Sequence, residues 1–393
     1  MHTSVQAIVF FLVAFLVVMG WHAYLWNRLL RDTQPPPRWK VAGKIALLTL
    51  VTLFLFAMIG GRSWPFDSLR PLYAIGYGWL GTSFLLVVML LLTDLGKLSA
   101  RGVRRLMKRA PTNPERRLTL ARILAGSVAF TGFSSTAKGA ASALGTIPIR
   151  RIRVSLPRLS SSMNGTRIVQ ISDLHIGPIL KRSWVESVVA QVMSLEPDLI
   201  VITGDLVDGT VENLRDDVAP LAKLKAKAGV FFVTGNHEYY SGAPAWVEHV
   251  QQLGIRVLQN ENVPIGKGDD AFYLAGVNDF ESARHKVGHA HDVAASVRGI
   301  PPNREILLLA HQPRSVWDAA KHGVGLQLSG HTHGGQIFPF GLLVLLDQPY
   351  LSGLYQHSLK TQVFVTNGAG YWGPPVRIMA PSEIVKINLK AKA

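Results

Sequence analysis

The chain has 393 residues, which is too long for one ordinary domain and long enough for two. It carries 41 Lys and Arg residues against 25 Asp and Glu residues, so its formal net charge is +16. Such a charge fits a nucleic-acid-binding protein or a membrane protein with basic cytoplasmic loops. The chain has no cysteine, which excludes a disulfide framework, a thiolate metal site and a cysteine nucleophile.

Long uncharged blocks fill the first third of the chain. Residues 3–27 and 71–93 contain no charged side chain, and residues 45–61 form a shorter block of the same kind. A transmembrane helix needs about 20 apolar residues, so we expect the first two blocks, and also the shorter one, to span a membrane. The alternative is that these blocks are buried core helices. Uncharged runs of this length disfavour it.

Basic residues flank these blocks on one predicted side of the membrane. They are Arg28, Arg31, Arg38 and Lys40 before the second span, and Lys97, Arg101, Arg104, Arg105, Lys108, Arg109, Arg116 and Arg117 after the third. By the positive-inside rule both segments are cytoplasmic, and the N-terminus faces outward. Much of the positive charge therefore serves to orient the spans in the membrane. We do not expect nucleic acid as a partner.

Residues 118–145 form an ambiguous fourth segment, rich in small residues and interrupted by Arg122 and Lys138. It follows the twin arginine Arg116 and Arg117 and ends near an Ala-x-Ala pattern, which is close to the layout of an export signal. It is either a fourth span or a linker on the inner membrane surface. We expect a span, which would place the rest of the chain on the non-cytoplasmic side of the plasma (inner) membrane.

From about residue 150 the composition becomes that of a soluble domain. Short apolar strands alternate with helical segments, which predicts a sheet covered on both faces. The strands include residues 167–172, 198–204 and 229–235, and the helices include residues 184–195, 211–226 and 246–254. We therefore predict a membrane domain over residues 1–149, with three or four transmembrane helices, and an α/β domain over residues 150–393.

Five predicted strands of this domain end in oxygen or imidazole donors. In chain order these donors are Asp173 and His175, Asp205 and Asp208, Asn236 and His237, His311, and finally His331 and His333. Loops at the carboxyl ends of strands build the sites of such folds. Each short motif alone is common turn chemistry. All five in one domain predict a metal centre.

The blocks D-x-H, G-D-x-x-D, G-N-H-E, H and G-H-x-H resemble those of the calcineurin-like metallophosphoesterase superfamily. The resemblance implies a layered α/β/β/α sandwich and two divalent metal ions per chain. It implies that Asp173, His175 and His333 hold one ion. It further implies that Asn236, His311 and His331 hold the other ion and that Asp205 bridges the two.

The resemblance also implies that a hydroxide bridging the two ions attacks phosphorus. A nitrogen and oxygen ligand set without sulfur suits manganese, our first expectation, or iron or zinc. His237 would protonate the leaving oxygen or stabilise the transition state. Asp208 would orient a neighbouring ligand, or would simply cap a helix.

Tyr371, Trp372 and Arg377 lie in a Gly-Pro-rich loop after a late predicted strand. They are candidates for substrate binding, as a substrate wall or as a lip that faces the membrane. The alternative is that they only pack a turn.

The predicted function is that of a membrane-anchored phosphoesterase that cleaves phosphodiester or pyrophosphate bonds. The layout resembles the membrane-anchored phosphodiesterase branch that includes UDP-2,3-diacylglucosamine pyrophosphatase-like enzymes. The expected partners are therefore the lipid bilayer and phosphoester substrates, lipid-linked or nucleotide-linked, amphiphilic ones among them. A membrane sensor or transport component that uses the domain for binding is the alternative, and degenerate ligand positions would mark it. Every ligand position is intact.

Overall fold

The structure is a computed structural model that describes residues 2–64, 67–108 and 113–392, with the backbone alone for residues 2–11, 14, 62 and 63. It divides into two units. The first comprises Met1–Gly61 and Pro71–Ala140, and the second comprises Arg62–Arg70 and Ala141–Ala393.

Long helices make up the first unit. They are α1 (His2–Leu25), which continues into a π-helical turn over Trp26–Arg31, α2 (Pro37–Ser63), α3 (Arg70–Leu106) and α4 (Pro114–Leu144). Proline at the first position of α2 and α4 is favourable, because that residue has no intrahelical N–H bond to lose. Polar contacts join α1 to α3, since Trp79 Nε1 donates to His22 Nε2 at 3.0 Å and Tyr24 donates to Asp94 at 2.8 Å.

Three segments of the described residues are long and apolar enough to cross a membrane: Pro37–Gly61, Asp67–Leu106 and Pro114–Leu144. The last of these contains the ambiguous segment 118–145 in one continuous helix that ends at Leu144. The first predicted span, residues 3–27, lies partly outside the residues whose side chains are described, since residues 3–11 and 14 have only a described backbone.

Two six-stranded sheets form the described part of the second unit. Their strands are β1 (Ile149–Leu156), β2 (Arg167–Ile171), β3 (Leu199–Thr203), β4 (Val230–Val233), β5 (Arg256–Val257), β6 (Glu261–Ile265), β7 (Phe272–Gly276), β8 (Ile306–Leu309), β9 (Leu326–Ser329), β10 (Gly353–Gln356), β11 (Gln362–Val365) and β12 (Ile384–Ala391). The first sheet has the order β1-β12-β2-β3-β4-β5, and the second has the order β10-β11-β9-β8-β7-β6. Strands β2 to β5 are mutually parallel, and so are β7, β8, β9 and β11.

Shorter helices connect the strands. They are α5 (Arg182–Ser194), α6 (Val211–Val218), α7 (Asn236–Ser241), α8 (Ala243–Gln252), α9 (Val293–Ser296), α10 (Val316–Lys321) and α11 (Gly341–Val344). Alternate residues of β3 separate two cores. Ile200 and Ile202 pack in the core that contains Val188 of α5, while Leu199 and Val201 pack in the core that contains Leu307 of β8. The α/β class is confirmed, with two helix-covered sheets facing each other.

Two expectations about local structure were incomplete. The segment 211–226 is not one helix, because α6 ends at Val218 and a 3₁₀ turn over Ala219–Lys223 follows. Pro220 lacks the N–H that a continuing helix needs. In addition, β1 and β12 form a parallel pair that joins the two ends of the domain. No short-range pattern in the sequence indicates such a long-range pairing.

Candidate metal centre

The donors predicted at the strand ends meet in one place. Asp173 and His175 follow β2, Asp205 follows β3, and Asn236 and His237 open α7 directly after β4. These residues come from the first sheet. His311 follows β8, and His331 and His333 follow β9, so the second sheet supplies the remaining imidazoles. All of these side chains are buried except that of His331, which is half-buried.

Asp173, His175 and His333 form a first ligand group, whose ligand atoms lie within 4.8 Å of one another. The Nε2 atoms of His175 and His333 are 3.0 Å apart, and Asp173 Oδ1 is 3.5 Å from His333 Nε2. Two imidazole nitrogens and one carboxylate oxygen that converge in this way are the donors that a divalent transition metal takes.

A second ligand group consists of Asp205, His311 and His331. Its ligand atoms also lie within 4.8 Å of one another. Asp205 Oδ2 lies 3.1 Å from His311 Nε2, which in turn is 3.2 Å from His331 Nδ1. The same oxygen of Asp205 is 3.7 Å from Nε2 of His175, which belongs to the first group. One carboxylate oxygen therefore faces both groups.

Two buried oxygens at the centre have no hydrogen-bond partner among the described residues: Asp173 Oδ2 and Asn236 Oδ1. An unsatisfied buried acceptor costs about 1–3 kcal/mol. A cation would satisfy both atoms, because each of them can only accept. The residues present therefore fit divalent metal ions.

Left-handed backbone conformations are concentrated at the centre. Asp173, His175, Asp205, His331 and His333 have φ between 45° and 70°. Each such non-glycine residue is held at a cost of about 1–3 kcal/mol, and strain of this kind clusters at functional sites.

Neighbouring glycines make room for the strained loops. A Cβ atom on Gly330 would lie 2.2 Å from Asp173 Oδ2, and one on Gly235 would lie 2.2 Å from Asp205 Oδ1. Gly330 and Gly235, the first residues of the G-H-x-H and G-N-H-E motifs, are thus required by the close approach of a carboxylate, rather than by turn chemistry alone.

Asp208 joins the first ligand group to His237. Its Oδ1 atom lies 3.2 Å from His175 Nδ1 and 2.5 Å from His237 Nδ1. Asp208 does not occupy the N-cap position of α6, which was its alternative role. That position belongs to Thr210.

Burial lowers the pKa of His237, but the carboxylates of Asp205 and Asp208 raise it more, so that it reaches about 9. This imidazole therefore carries a proton at neutral pH. Its ring centroid is 5.3 Å from that of Tyr240 and 6.1 Å from that of Trp372, and both of these aromatic side chains are exposed. His237 thus lies at the mouth of the centre, beneath an aromatic rim.

Glu238 is a residue whose role the sequence analysis missed, although it is the last letter of the G-N-H-E motif. Its buried carboxylate accepts hydrogen bonds from the backbone N–H groups of Gly235, Leu206 and Asp205, at 2.6, 2.7 and 3.1 Å. These bonds fasten the loop after β4 to the loop after β3. Burial, together with the charge of Asp205, raises the pKa of Glu238 to about 8.

In the loop after β11, Arg377 is not placed where it could bind substrate. This residue, considered for substrate binding, is 2% exposed, and its guanidinium donates to the backbone carbonyls of His333, Asn367, Gly370 and Ala380. With every direction occupied by protein, Arg377 supports the His333 loop from beneath. Tyr371 is also buried, whereas Trp372 is half exposed and lies over His237.

Comparisons with known proteins agree with this geometry. A family model described as "Calcineurin-like phosphoesterase" matches residues 166–335, the range from the start of β2 to just past the G-H-x-H motif. A zebrafish (Danio rerio) protein named "Transmembrane protein with metallophosphoesterase domain" is 34% identical over 392 residues, which cover 93% of this chain and 86% of the zebrafish chain.

Two further relatives match a smaller share of this chain. A metallophosphoesterase of Helicobacter pylori is 40% identical over 245 residues, which cover 62% of this chain and 64% of the relative. A cattle (Bos taurus) transmembrane protein with a metallophosphoesterase domain is 41% identical over 253 residues, which cover 62% of this chain and 57% of the relative. The predicted family is confirmed. The chain belongs to the calcineurin-like metallophosphoesterases, and it is a metal-dependent phosphoester hydrolase with helices long and apolar enough to span a membrane.

Proposed function

We propose that the chain is a membrane-anchored dinuclear phosphoesterase that hydrolyses phosphodiester or pyrophosphate bonds. The observation that carries the proposal is the position of Asp205 Oδ2, which faces His311 at 3.1 Å and His175 at 3.7 Å. A carboxylate shared between two ligand groups is what a pair of adjacent metal ions requires.

The first ion belongs to Asp173, His175 and His333, and the second to His311, His331 and Asn236, with Asp205 shared. When bound, two such ions neutralise the charge of the phosphate and lower the pKa of a water molecule between them. The amide of Asn236 adds an oxygen donor without negative charge, so it does not repel an anionic substrate. We propose manganese as the native metal, because the set combines nitrogen with oxygen donors and lacks sulfur.

The proton for the leaving oxygen comes from His237. Asp208 accepts from His237 Nδ1 at 2.5 Å, and this leaves Nε2 as the atom that donates to the substrate. The raised pKa of His237 keeps the imidazole protonated, as a general acid requires. Asp208 also holds Nδ1 of His175 at 3.2 Å and so fixes the orientation of a ligand at the same time.

The substrates we propose are lipid-linked or nucleotide-linked phosphoesters. Three apolar helices hold the phosphoesterase domain at a membrane, where amphiphilic substrates are concentrated. The exposed aromatic rings of Trp372 and Tyr240 at the mouth offer stacking surfaces for an apolar or aromatic portion of the substrate.

We place the catalytic domain, residues 150–393, on the non-cytoplasmic side of the plasma membrane. The connection Arg62–Arg70 between α2 and α3 belongs to the same structural unit as the phosphoesterase strands, and Lys181 Nζ lies 3.5 Å from Asp67 Oδ1. This connection is less basic than the segments before α2 and after α3, so it is the non-cytoplasmic one. Helix α4 would then cross the membrane.

Metal-dependent turnover tests the reaction. Full-length protein stripped of metal should regain hydrolysis of bis(4-nitrophenyl) phosphate on addition of manganese, and a panel of nucleotide-diphosphate lipids should contain better substrates. Activity that is unchanged by chelation and by re-addition of metal would contradict the proposal.

Cysteine labelling tests the sidedness, because the native chain has no cysteine to interfere. In cells permeabilised only at their outer barrier, Ser161→Cys, at an exposed position before β2, should react with an impermeant maleimide. Ser99→Cys in the basic segment after the third span is the matched control and should react only after lysis of the plasma membrane. Labelling of Ser161→Cys only after lysis would place the domain in the cytoplasm.

A further inference from the structure

An apolar loop with no established role lies directly after the G-H-x-H motif. Residues 337–346, "IFPFGLLVLL", contain no polar or charged side chain and are referred to below as the apolar loop. Its exposed side chains are Phe338, Phe340, Leu342, Leu343, Leu345 and Leu346. Leu346 is 83% exposed and Leu342 is 63% exposed. A run of large exposed apolar side chains marks a binding surface, whereas single exposed ones do not.

Most backbone N–H groups of the apolar loop are already hydrogen-bonded within the protein. Its N–H groups from Leu342 to Leu346 all donate to carbonyls within the loop, through the single turn of α11 and the turns that flank it. The first charged residue after the loop, Asp347, forms an ion pair with Arg314. Each backbone N–H group that is already hydrogen-bonded lowers the cost of moving an apolar segment into lipid.

The apolar loop is fastened to the mouth of the metal centre. Gln336 Nε2 donates to the carbonyl of Trp372, and Trp372 N donates to Gln336 Oε1, both at 2.9 Å. Phe338 N donates to the carbonyl of Ile378 at 3.2 Å, and the next residue, Met379, is 80% exposed. The loop and the exposed side chains of Trp372 and Met379 therefore belong to one rim around His237.

We propose that the apolar loop inserts into the leaflet of the bilayer that the chain's own helices span. Only residues 145–148 separate α4 from β1, and four residues reach at most about 14 Å. Such a short tether gives the loop a high effective concentration of lipid. Insertion places the rim at the lipid surface, so that a phosphoester in the headgroup layer reaches the metal centre. Hydrolysis of soluble esters does not require this docking.

Lipid quenching in full-length protein tests the proposal. Leu343→Cys, labelled with an environment-sensitive dye, is placed in nanodiscs that hold one copy of the chain. The matched control is Leu359→Cys, a fully exposed leucine between β10 and β11 of the same unit. Spin-labelled lipids should quench most of the dye emission at position 343 and leave that at position 359 unchanged. Equal emission at the two positions in the presence of the quencher would overturn the proposal.

A second copy of the chain is the competing occupant of the apolar loop. If the dye at position 343 is shielded only in nanodiscs that hold two copies, the loop is a dimer contact and the proposal is wrong. Leu346→Asp should abolish quenching at position 343 and leave hydrolysis of bis(4-nitrophenyl) phosphate unchanged, whereas Leu359→Asp should change neither. Retention of full quenching in Leu346→Asp would also contradict insertion. Since quenching requires no substrate, its result is independent of the proposed reaction.

Discussion

The two ligand groups are similar in their donors but differ in what holds them. In the first group, the outer ring nitrogens meet charged side chains: His175 Nδ1 faces Asp208 at 3.2 Å, and His333 Nδ1 faces Arg377 at 3.2 Å. In the second group, His311 Nδ1 donates to the backbone carbonyl of Thr203 at 2.8 Å. The sheet itself orients the second group, while side chains from distant loops orient the first. The first group is therefore the one that side-chain substitutions can adjust.

Burial and neighbouring charges shift pKa values in both groups. Burial lowers the pKa of His333, and the neighbouring charges of His175 and Arg377 lower it further. Burial also opposes the charged form of His311, but the carboxylates of Asp205 and Asp173 raise its pKa to about 10. A metal ligand must be deprotonated. Burial also raises the pKa of Asp173 in the first group and lowers that of His331 in the second to about 3. Each group therefore combines one ligand whose pKa shift favours the deprotonated form with one whose shift opposes it.

The substitution with the largest expected effect removes a ligand that both groups share. Asp205→Ala removes the oxygen that faces both, so the variant should lose both metal ions and all metal-dependent hydrolysis. Elemental analysis of the purified variant measures this directly. Asp216→Ala, at an exposed position on α6, is the matched control and should keep its metal. A variant at position 205 that retains two ions would show that the groups are independent.

The next effect separates proton donation from metal binding. His237→Ala should keep both ions while hydrolysis falls by about 10²–10⁴-fold, the usual contribution of a general acid. A substrate with a poor leaving group should lose more than a nitrophenyl ester, because only the poor leaving group needs the proton. His289→Ala, which removes a nearby imidazole bonded to Tyr239 and Gln259, should retain activity. Equal losses for both leaving groups would assign charge stabilisation to His237 instead.

The smallest effect tests the contrast between the groups. Asp208→Asn weakens the support of His175 and should lower metal affinity in the first group by about 10–100-fold, the usual effect of losing an outer partner of a ligand. Affinity in the second group should not change, since the partner of His311 is a backbone carbonyl. Asp279→Asn, a buried carboxylate that binds Gln312 rather than a ligand, is the control. Metal titration that shows both sites weakened equally would remove the distinction.

The sequence could predict that these donors lie close together, because each one directly follows a strand. Asp173, Asp205, Asn236, His311 and His331 come within a few residues of an apolar run, and parallel strands bring such ends to one edge. The residues that hold these loops in place could not be predicted in this way. Arg377 reaches the His333 loop from 44 residues further along the chain, and its contacts depend on the complete fold. Glu238 was visible in its motif, but its three backbone partners were not.

The exposure of the apolar loop is a second feature that could not be predicted from the sequence. Residues 337–346 are apolar enough to be core, and only the structure shows that their side chains are exposed. The alternation of strands and helices predicted the layers of the α/β domain, because hydrophobic periodicity is local. The pairing of β1 with β12 and the exposure of this loop are long-range outcomes that periodicity does not contain.

The central claim, two metal ions that share Asp205, is tested most directly by anomalous diffraction from crystals of full-length protein loaded with manganese. The account predicts two anomalous peaks per chain about 3.5–4 Å apart. One peak should lie within the first ligand group and the other within the second, with the Asp205 carboxylate between them. A single peak, or two peaks of which only one contacts Asp205, would contradict it.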